Sequence, residues 1–203
     1  NVELARLADA LRDDSRVSHG CRLAVLTFDV EARVVLPLTP AADLHAAPAL
    51  AATRPGTDYA SVFQLLRRQI ERDLTGLRIA RLRPLRPLVV LVTDGRPTRG
   101  HWPPAHAALT DPGWEGAADI LAFGVGNASA LTLRRLGTAG THVPEASGRA
   151  SGHEAVRRVR LVAPVMSFVL DALGHPSTSA IAPTPRSGAH EPDSWPSLDE
   201  LIR

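Results

Sequence analysis

Three observations predict an α/β fold: a doubly wound, mostly parallel sheet with one antiparallel edge strand. Short apolar runs alternate with segments of helical period through most of the chain, the order that right-handed strand–helix–strand crossovers require. The run Leu88–Val92 is continuously apolar, as in a central strand covered by helices on both faces. Two closely spaced apolar runs within 22–36 predict a hairpin, whose second strand lies antiparallel at the sheet edge.

Apolar periodicity predicts the elements in order. Apolar residues at a helical period predict the helix 60–74, and Thr57 or Asp58 is expected to be its N-cap. The full order is helix 2–12, strands 22–28 and 33–36 joined by a turn at 29–32, helix 60–74, strand 88–92, helix 104–109, strand 118–123, helix 130–136, strand 141–143 and a closing helix over 154–173.

The composition divides the chain into a domain over 1–173 and a tail over 174–203. The tail is rich in proline, serine and alanine, so it is expected to be flexible because it buries too little apolar surface to offset its ordering entropy. Near its end, 195–202 has a cap-like serine followed by acidic and apolar residues. Two interpretations remain open there: a short helix that docks on a partner, or an unstructured terminus.

Composition also limits the classes of function. The chain has 203 residues, a net charge of +2 and one cysteine, Cys21, which fits a reducing, cytoplasmic compartment. No apolar run reaches the length of a membrane-spanning helix, so no membrane partner is expected. The sequence does not predict the oligomeric state.

Arginine is the only basic residue type, and seven arginines cluster in one stretch. We call the following set the arginine ridge: Arg67, Arg68, Arg72, Arg78, Arg81, Arg83 and Arg86. Such a cluster can hold phosphates or acidic partners, or it can be a solvated helix face and loop. Nucleic acid is a disfavoured partner because no aromatic residues interleave the ridge to stack on bases.

Asp94 is the first candidate for a binding residue. It follows the predicted strand directly, and open α/β sheets bind ligands outside the carboxyl ends of their strands. The alternative is an ordinary Asp-Gly turn. Thr57 precedes a helix, and its hydroxyl, like the Asp94 carboxylate, is a hard oxygen donor of the kind that Mg²⁺ takes.

Several segments occur in an order that resembles the von Willebrand factor type A domain, most closely its bacterial cytoplasmic members associated with tellurite resistance. The matching segments are Gly56-Thr57-Asp58, 91–98, 22–29 and 122–126. The resemblance implies a metal-ion-dependent adhesion site, in which an Asp-x-Ser-x-Ser loop, a threonine and an aspartate surround one Mg²⁺ or Mn²⁺ ion. Thr57 matches that threonine and Asp94 that aspartate.

The same resemblance implies a protein partner that presents Asp or Glu to the open coordination position of the cation. Position along the chain suggests that Asp58, Arg96, Thr98 and His101 form the rim that selects this partner. A bacterial stress-response role is expected from the resemblance alone.

The sequence departs from the family at one motif. No Asp-x-Ser-x-Ser lies near the beginning, and Asp13-Asp14-Ser15 falls at the end of a helix that leads away from the expected site. In the family the first strand is central, between the second and the fourth, and that first central strand is missing from this chain. The metal site is therefore expected to be incomplete, and about 20 further residues are expected upstream, from typical strand and loop lengths.

Enzymatic activity is not expected. An aspartate-nucleophile phosphatase needs a second aspartate two residues from Asp94, and those positions hold Val92 and Arg96. The histidines are scattered without a zinc-binding spacing. Two other functions remain: a metal-independent scaffold that binds through the arginine ridge or the tail, and a phosphate or nucleic-acid binder that uses the ridge.

Overall fold

The computed structural model describes residues 1–51, 55–98, 101–143 and 160–174. The elements are α1 (Val2–Asp13), β1 (Arg22–Phe28), β2 (Ala32–Pro40), a 3₁₀ turn (Ala41–Asp43), α2 (Tyr59–Ile79), β3 (Leu88–Thr93), α3 (Pro103–Thr110), β4 (Asp119–Gly124), α4 (Ala130–Leu136), β5 (Gly140–His142) and α5 (Val162–Gly174). Their order and types confirm the prediction. The predicted helical residues 154–159, the tail beyond 174 and its terminal helix lie outside the described residues.

Helix α2 begins at a side-chain cap and ends at a backbone motif. Asp58 is the N-cap, and its carboxylate accepts a hydrogen bond from the Ser61 backbone N–H, which settles the choice between Thr57 and Asp58. At the other end, the Leu82 N–H closes the helix by donating to the Leu77 carbonyl. The helix ends at Ile79, five residues past the predicted end at Leu74.

The strands form two separate sheets. β1 pairs with β2 antiparallel, whereas β3, β4 and β5 form a parallel sheet in that order. The predicted antiparallel hairpin and the predicted parallel pairing are confirmed, but within the described residues no pairing joins the two sheets into one. A largely apolar cavity of about 1400 Å³ lies between β1 and β3. The architecture is therefore mixed α/β.

Helices cover the parallel sheet on both faces. Alternate residues of β4 point to opposite sides: Ile120 and Ala122 pack in one core cluster, and Leu121 and Phe123 in the other. The first cluster contains residues of α2, α3 and α4, and the second contains residues of α1 and α5. The strands thus form the middle of three layers.

Within the described ranges, no helix combines the length and the apolar character needed to cross a membrane.

Candidate functional site at the carboxyl ends of the strands

Tyr59 joins the carboxyl ends of β1 and β3. Its hydroxyl lies 2.7 Å from the Thr93 hydroxyl at the end of β3, and its ring centroid lies 6.0 Å from that of Phe28 at the end of β1. The two strands therefore point to the same edge of the middle layer. The loops 29–31, 55–58, 94–98 and 125–129 meet at this edge, and we call them the loop rim.

Gly56 allows three of these loops to approach closely. Its φ is +125°, a conformation that favours glycine, and a Cβ there would lie 2.8 Å from Val30 Cγ1 and 3.2 Å from Thr98 Oγ1. The neighbouring Asp58 N–H donates to the Asp29 carbonyl at 2.9 Å. A side chain at position 56 would push these loops apart.

Three hydrogen bonds hold Thr57 against Thr98. The Thr98 N–H donates to the Thr57 carbonyl at 3.0 Å, the Thr57 N–H donates to Thr98 Oγ1 at 2.8 Å, and the Thr98 hydroxyl donates to the Thr57 carbonyl at 3.4 Å. All three bonds use the backbone of Thr57, and none uses its hydroxyl. The loop that carries Asp94 is thereby tied to the loop that carries Thr57.

Asp94 is exposed and forms the turn that its sequence predicts. Its Oδ1 accepts a hydrogen bond from the Arg96 N–H at 3.1 Å, and Gly95 has φ +69°. A Cβ on Gly95 would lie 2.9 Å from the Ser129 nitrogen, so this turn packs against the loop after β4. The turn interpretation is confirmed, and a turn of this kind still leaves the carboxylate at the surface.

Asp94 lies close enough to Tyr59 for its charge to act on the pKa of the phenol. Burial of the phenol raises this pKa, the hydrogen bond to Thr93 lowers it, and the negative charge of Asp94 raises it further. Since Tyr59 directly follows Asp58 in the chain, Asp94 lies on the same side of the rim as the start of α2.

The donor atoms at the rim suit a hard divalent cation but are few. The Thr57 hydroxyl and the Asp94 carboxylate are oxygen donors of the type that Mg²⁺ and Mn²⁺ prefer. Among residues that the structure describes, no group of three or more His, Cys, Asp or Glu side chains could hold a metal ion. These two residues would therefore supply part of a coordination shell, with water in the remaining positions.

Three of the other predicted rim residues make contacts within the loop rim or with α2, and each makes a different one. Asp58 caps α2, and Thr98 bonds to Thr57. Arg96 reaches towards the Asn127 carbonyl, with Nη2 at 3.5 Å. His101 is exposed before α3, and no described contact joins it to Thr57 or Asp94.

Sequence reasoning missed Gly56, Tyr59 and Thr93 as residues that assemble this rim. Tyr59 fits the apolar pattern of α2, and nothing local indicates that its hydroxyl meets a residue 34 positions away. The signal that was present is a glycine directly before the Thr57-Asp58 pair.

Three residues of the arginine ridge are anchored within the fold. Arg67 lies over the Trp114 ring at 4.2 Å and donates to the Ala108 carbonyl. Arg78 pairs with Glu115, and Arg86 donates to the Ala117 carbonyl at 3.0 Å and lies 3.4 Å from Asp119. These contacts attach α2 and its following loop to α3, to the start of β4 and to the segment between them, which is a structural role.

A scan against models of protein families and a search of curated proteins found no match to this chain.

Proposed function

We propose that this protein is a metal-ion-dependent interaction module, not an enzyme, and that it binds an acidic side chain of another protein through one divalent cation. The observation that carries the proposal is the set of three hydrogen bonds between Thr57 and Thr98. These bonds couple the loop of one oxygen donor, Thr57, to the loop of the other, Asp94.

The motif order gives independent support. The segments around Thr57 and Asp94 resemble the von Willebrand factor type A domain, and the mixed α/β architecture is compatible with that fold. The resemblance to tellurite-resistance-associated members, together with the single cysteine, favours a cytoplasmic stress-response setting.

Each residue at the rim has a distinct task in this proposal. Thr57 offers its hydroxyl while its backbone holds the loop in position. Asp94 offers carboxylate charge while the Arg96 N–H orients one of its oxygens. A bound Mg²⁺ or Mn²⁺ would supply the positive charge that attracts a partner's Asp or Glu. Asp58, Arg96, Thr98 and His101 would then contribute to the choice of partner.

Paramagnetic broadening by Mn²⁺ tests the cation site directly, because it detects weak binding residue by residue. We expect Mn²⁺ to broaden the amide signals of Thr57 and Asp94 before others, and excess Mg²⁺ to reverse the effect. Asp94→Asn keeps the turn acceptor and removes the charge, so it should abolish this preference. Thr57→Ser should retain the preference, whereas Thr57→Val should weaken it.

Asp111 provides a matched control. It is also exposed, and it also forms a turn by accepting a hydrogen bond from the N–H two residues later, in Gly113. Asp111→Asn should leave the broadening at Thr57 unchanged. Equal broadening around Asp94 and Asp111 would refute a specific cation site.

Binding of an acidic partner is tested with the α-amide of N-acetylglutamate as the probe, because its side chain holds its only carboxylate. If this carboxylate displaces water from bound Mn²⁺, the excess relaxation of water protons should fall, and the α-amide of N-acetylglutamine, which has no carboxylate, should not have this effect. Equal effects of the two compounds would refute the partner chemistry. Partner binding that is unchanged by removal of the divalent cation and by Asp94→Asn would instead favour the metal-independent scaffold.

A further inference from the structure

The segment from the last turn of α2 to the start of β3 exposes arginine and aliphatic side chains side by side. Residues 75–88 contain four arginines and no acidic residue. Three of the eight large apolar side chains that are exposed in the described part of the chain also lie here: Ile79 is 80% exposed, Leu82 43% and Leu85 41%. We call the following set the basic apolar patch: Ile79, Arg81, Leu82, Arg83 and Leu85.

The two arginines of the patch have no counter-charge among the described residues. The neighbouring Arg78 and Arg86 pair with carboxylates, whereas no described carboxylate forms an ion pair with Arg81 or Arg83. Both of these side chains are exposed. The patch therefore offers positive charge and apolar surface to a ligand that carries acidic and apolar groups together.

Arg81 holds its side chain in the patch at a cost in free energy. Its φ of +59° lies in the left-handed region, where a side chain is unfavourable and glycine is not. Among the residues that the structure describes, no other non-glycine residue has a positive φ. Backbone strain of this kind clusters at binding and switch sites. The strain is thus a second reason, separate from charge, to place a binding surface here.

Residues 191–202 of the same chain, which lie outside the described residues, have the complementary chemistry. This stretch contains four acidic residues and no basic residue. Its apolar residues Trp195, Leu198 and Leu201 recur every three positions, which is close to a helical period. Tryptophan is also a frequent anchor of binding surfaces. The stretch therefore carries the acidic and apolar groups that suit the patch.

The end of α5 lies at the same edge of the strand layer as the patch. A Cβ on Gly20 would lie 4.0 Å from Leu173 Cδ2, so α5 ends beside the start of β1. The patch leads into the start of β3 at Leu88. Because the carboxyl ends of β1 and β3 share the loop rim, the starts of both strands lie at the opposite edge.

The connection between α5 and Trp195 is long enough for docking within one molecule. Residues 175–194 join Gly174 to Trp195, and a connection of this length spans up to roughly 65 Å. A compact domain of the size of residues 1–174 is only about 40 Å across. Tethering also raises the effective concentration of the segment into the millimolar range, so a weak contact is sufficient.

We propose that residues 195–202 dock on the basic apolar patch of the same molecule. The apolar side chains of this segment pack against the three exposed aliphatic residues of the patch, and Asp199 and Glu200 pair with the two arginines. The segment thereby occupies a part of the arginine ridge that has no other counter-charge among the described residues.

The indole N–H signal of Trp195 in the ¹⁵N-labelled full chain measures this docking. The chain has three tryptophans, and Trp195→Phe identifies the signal. A synthetic peptide of residues 191–203 gives the position of the signal in the undocked segment. We expect the signal of the full chain to be displaced from this position, and coincidence of the two signals would overturn the proposal.

Two variants of the patch test where the segment docks. Ile79→Ser removes the most exposed apolar side chain, and Arg81→Gln/Arg83→Gln removes the two positive charges. Each variant should lower the ratio of docked to undocked molecules by at least about twofold, from the usual strength of a buried aliphatic side chain and of surface ion pairs.

Helix α4 provides matched controls for these variants. Leu131 is 71% exposed, and Arg134 is exposed on the same helix. Leu131→Ser and Arg134→Gln should leave the Trp195 signal unchanged. An equal response to the patch variants and the control variants would overturn the proposal, because the segment would then not distinguish the patch from another exposed surface.

Exchange of the charges tests the pairing itself. Asp199→Arg/Glu200→Arg should move the Trp195 signal to its position in the free peptide. Addition of Arg81→Glu/Arg83→Glu to the same chain should displace the signal again, and the fold should tolerate both changes because Arg81 and Arg83 are exposed. No renewed displacement, in a chain whose β4 amide signals are unchanged, would refute the pairing.

Dilution separates docking within one molecule from docking between two copies. An intramolecular contact does not depend on protein concentration, so the displacement of the Trp195 signal should persist on dilution. Loss of the displacement on dilution would assign the segment to a second copy and overturn the proposal. None of these readouts involves a metal ion, so they test the docking independently of the proposed function.

Discussion

The hydroxyl of Tyr59 lies 2.7 Å from the hydroxyl of Thr93, and both residues are buried. This hydrogen bond links the first residue of α2 to the last residue of β3. Thr93 Oγ1 also accepts from the Gly95 N–H at 3.2 Å. One buried hydroxyl pair therefore connects the helix start near Thr57 with the turn that carries Asp94.

Tyr59→Phe tests how strongly this pair stabilises the fold. The substitution keeps the ring, including its contacts with Phe28 and Trp102, and leaves a buried Thr93 hydroxyl with one partner fewer. We expect the free energy of unfolding in urea to fall by about 1–2 kcal/mol. In the Tyr59→Phe/Thr93→Val double variant the two losses should be less than additive. Full additivity would contradict the linkage.

Gly56 and Gly76 form a matched pair of glycine substitutions. At Gly56 an alanine meets Val30 and Thr98 at a φ of +125°, so Gly56→Ala should lower the free energy of unfolding by about 1–3 kcal/mol. Gly76 lies within α2, and a Cβ there meets nothing within 4 Å. Gly76→Ala should raise stability by about 0.5–1 kcal/mol. A small effect at both positions would show that the loops at Gly56 have room to separate.

Local sequence patterns predicted the elements much better than their pairing. The bounds of β1 and α4 agree with the prediction, because each has its own apolar pattern and clear ends. The pattern predicts that β2 ends before Pro37, yet the strand continues to Pro40. The pairing register between β1 and β2 is irregular on both sides of Val25, and such an irregularity accommodates a proline in an edge strand. Whether β1 pairs with β3 depends on residues at least 60 positions apart, so local periodicity carries no information on this pairing.

The sequence predicts which side chains of the candidate site could offer oxygen atoms to a cation, but not how the loops that carry them come together. Thr57 and Asp94 stand out because each oxygen donor adjoins a recognisable element. Thr98 is predicted to lie at the rim, and in the structure it also bonds to Thr57. Such a contact depends on how two loops meet in space, which neither loop specifies alone.

Asp119 should give the stability of this protein a distinctive pH dependence. Burial raises the pKa of Asp119 more than the positive charge of Arg86 lowers it. A carboxyl group whose pKa is higher in the folded state contributes stability below its unfolded pKa of about 3.9 and loses that contribution as the pH rises through the folded value.

Comparison with Asp119→Asn isolates this contribution. Burial also raises the pKa of Asp73, but Asp73 is present in both proteins, so its contribution cancels. The unfolding free energy of the parent chain minus that of Asp119→Asn should decrease as the pH rises from about 4 to 7. Urea titrations at several pH values measure this difference. An increase over the same interval would mean that the ion pair with Arg86 outweighs burial.

Arg81 occupies a backbone conformation that glycine would adopt more easily. Its φ is +59°, and it follows α2 in a Schellman motif: Leu82 donates to the Leu77 carbonyl, and Arg81 donates to the Arg78 carbonyl. Arg81→Gly removes the steric cost of a side chain in the left-handed region and adds some entropy to the unfolded chain. We expect a net gain of about 0.5–1 kcal/mol in the free energy of unfolding.

Arg83→Gly is the control for this prediction, because Arg83 is exposed in the same loop and has no positive φ. Both substitutions remove one positive charge from the arginine ridge, so any relief of charge repulsion is shared. The backbone argument requires that only Arg81→Gly stabilises the fold. An equal gain in both variants at low salt, lost at high salt, would show instead that repulsion within the ridge limits stability.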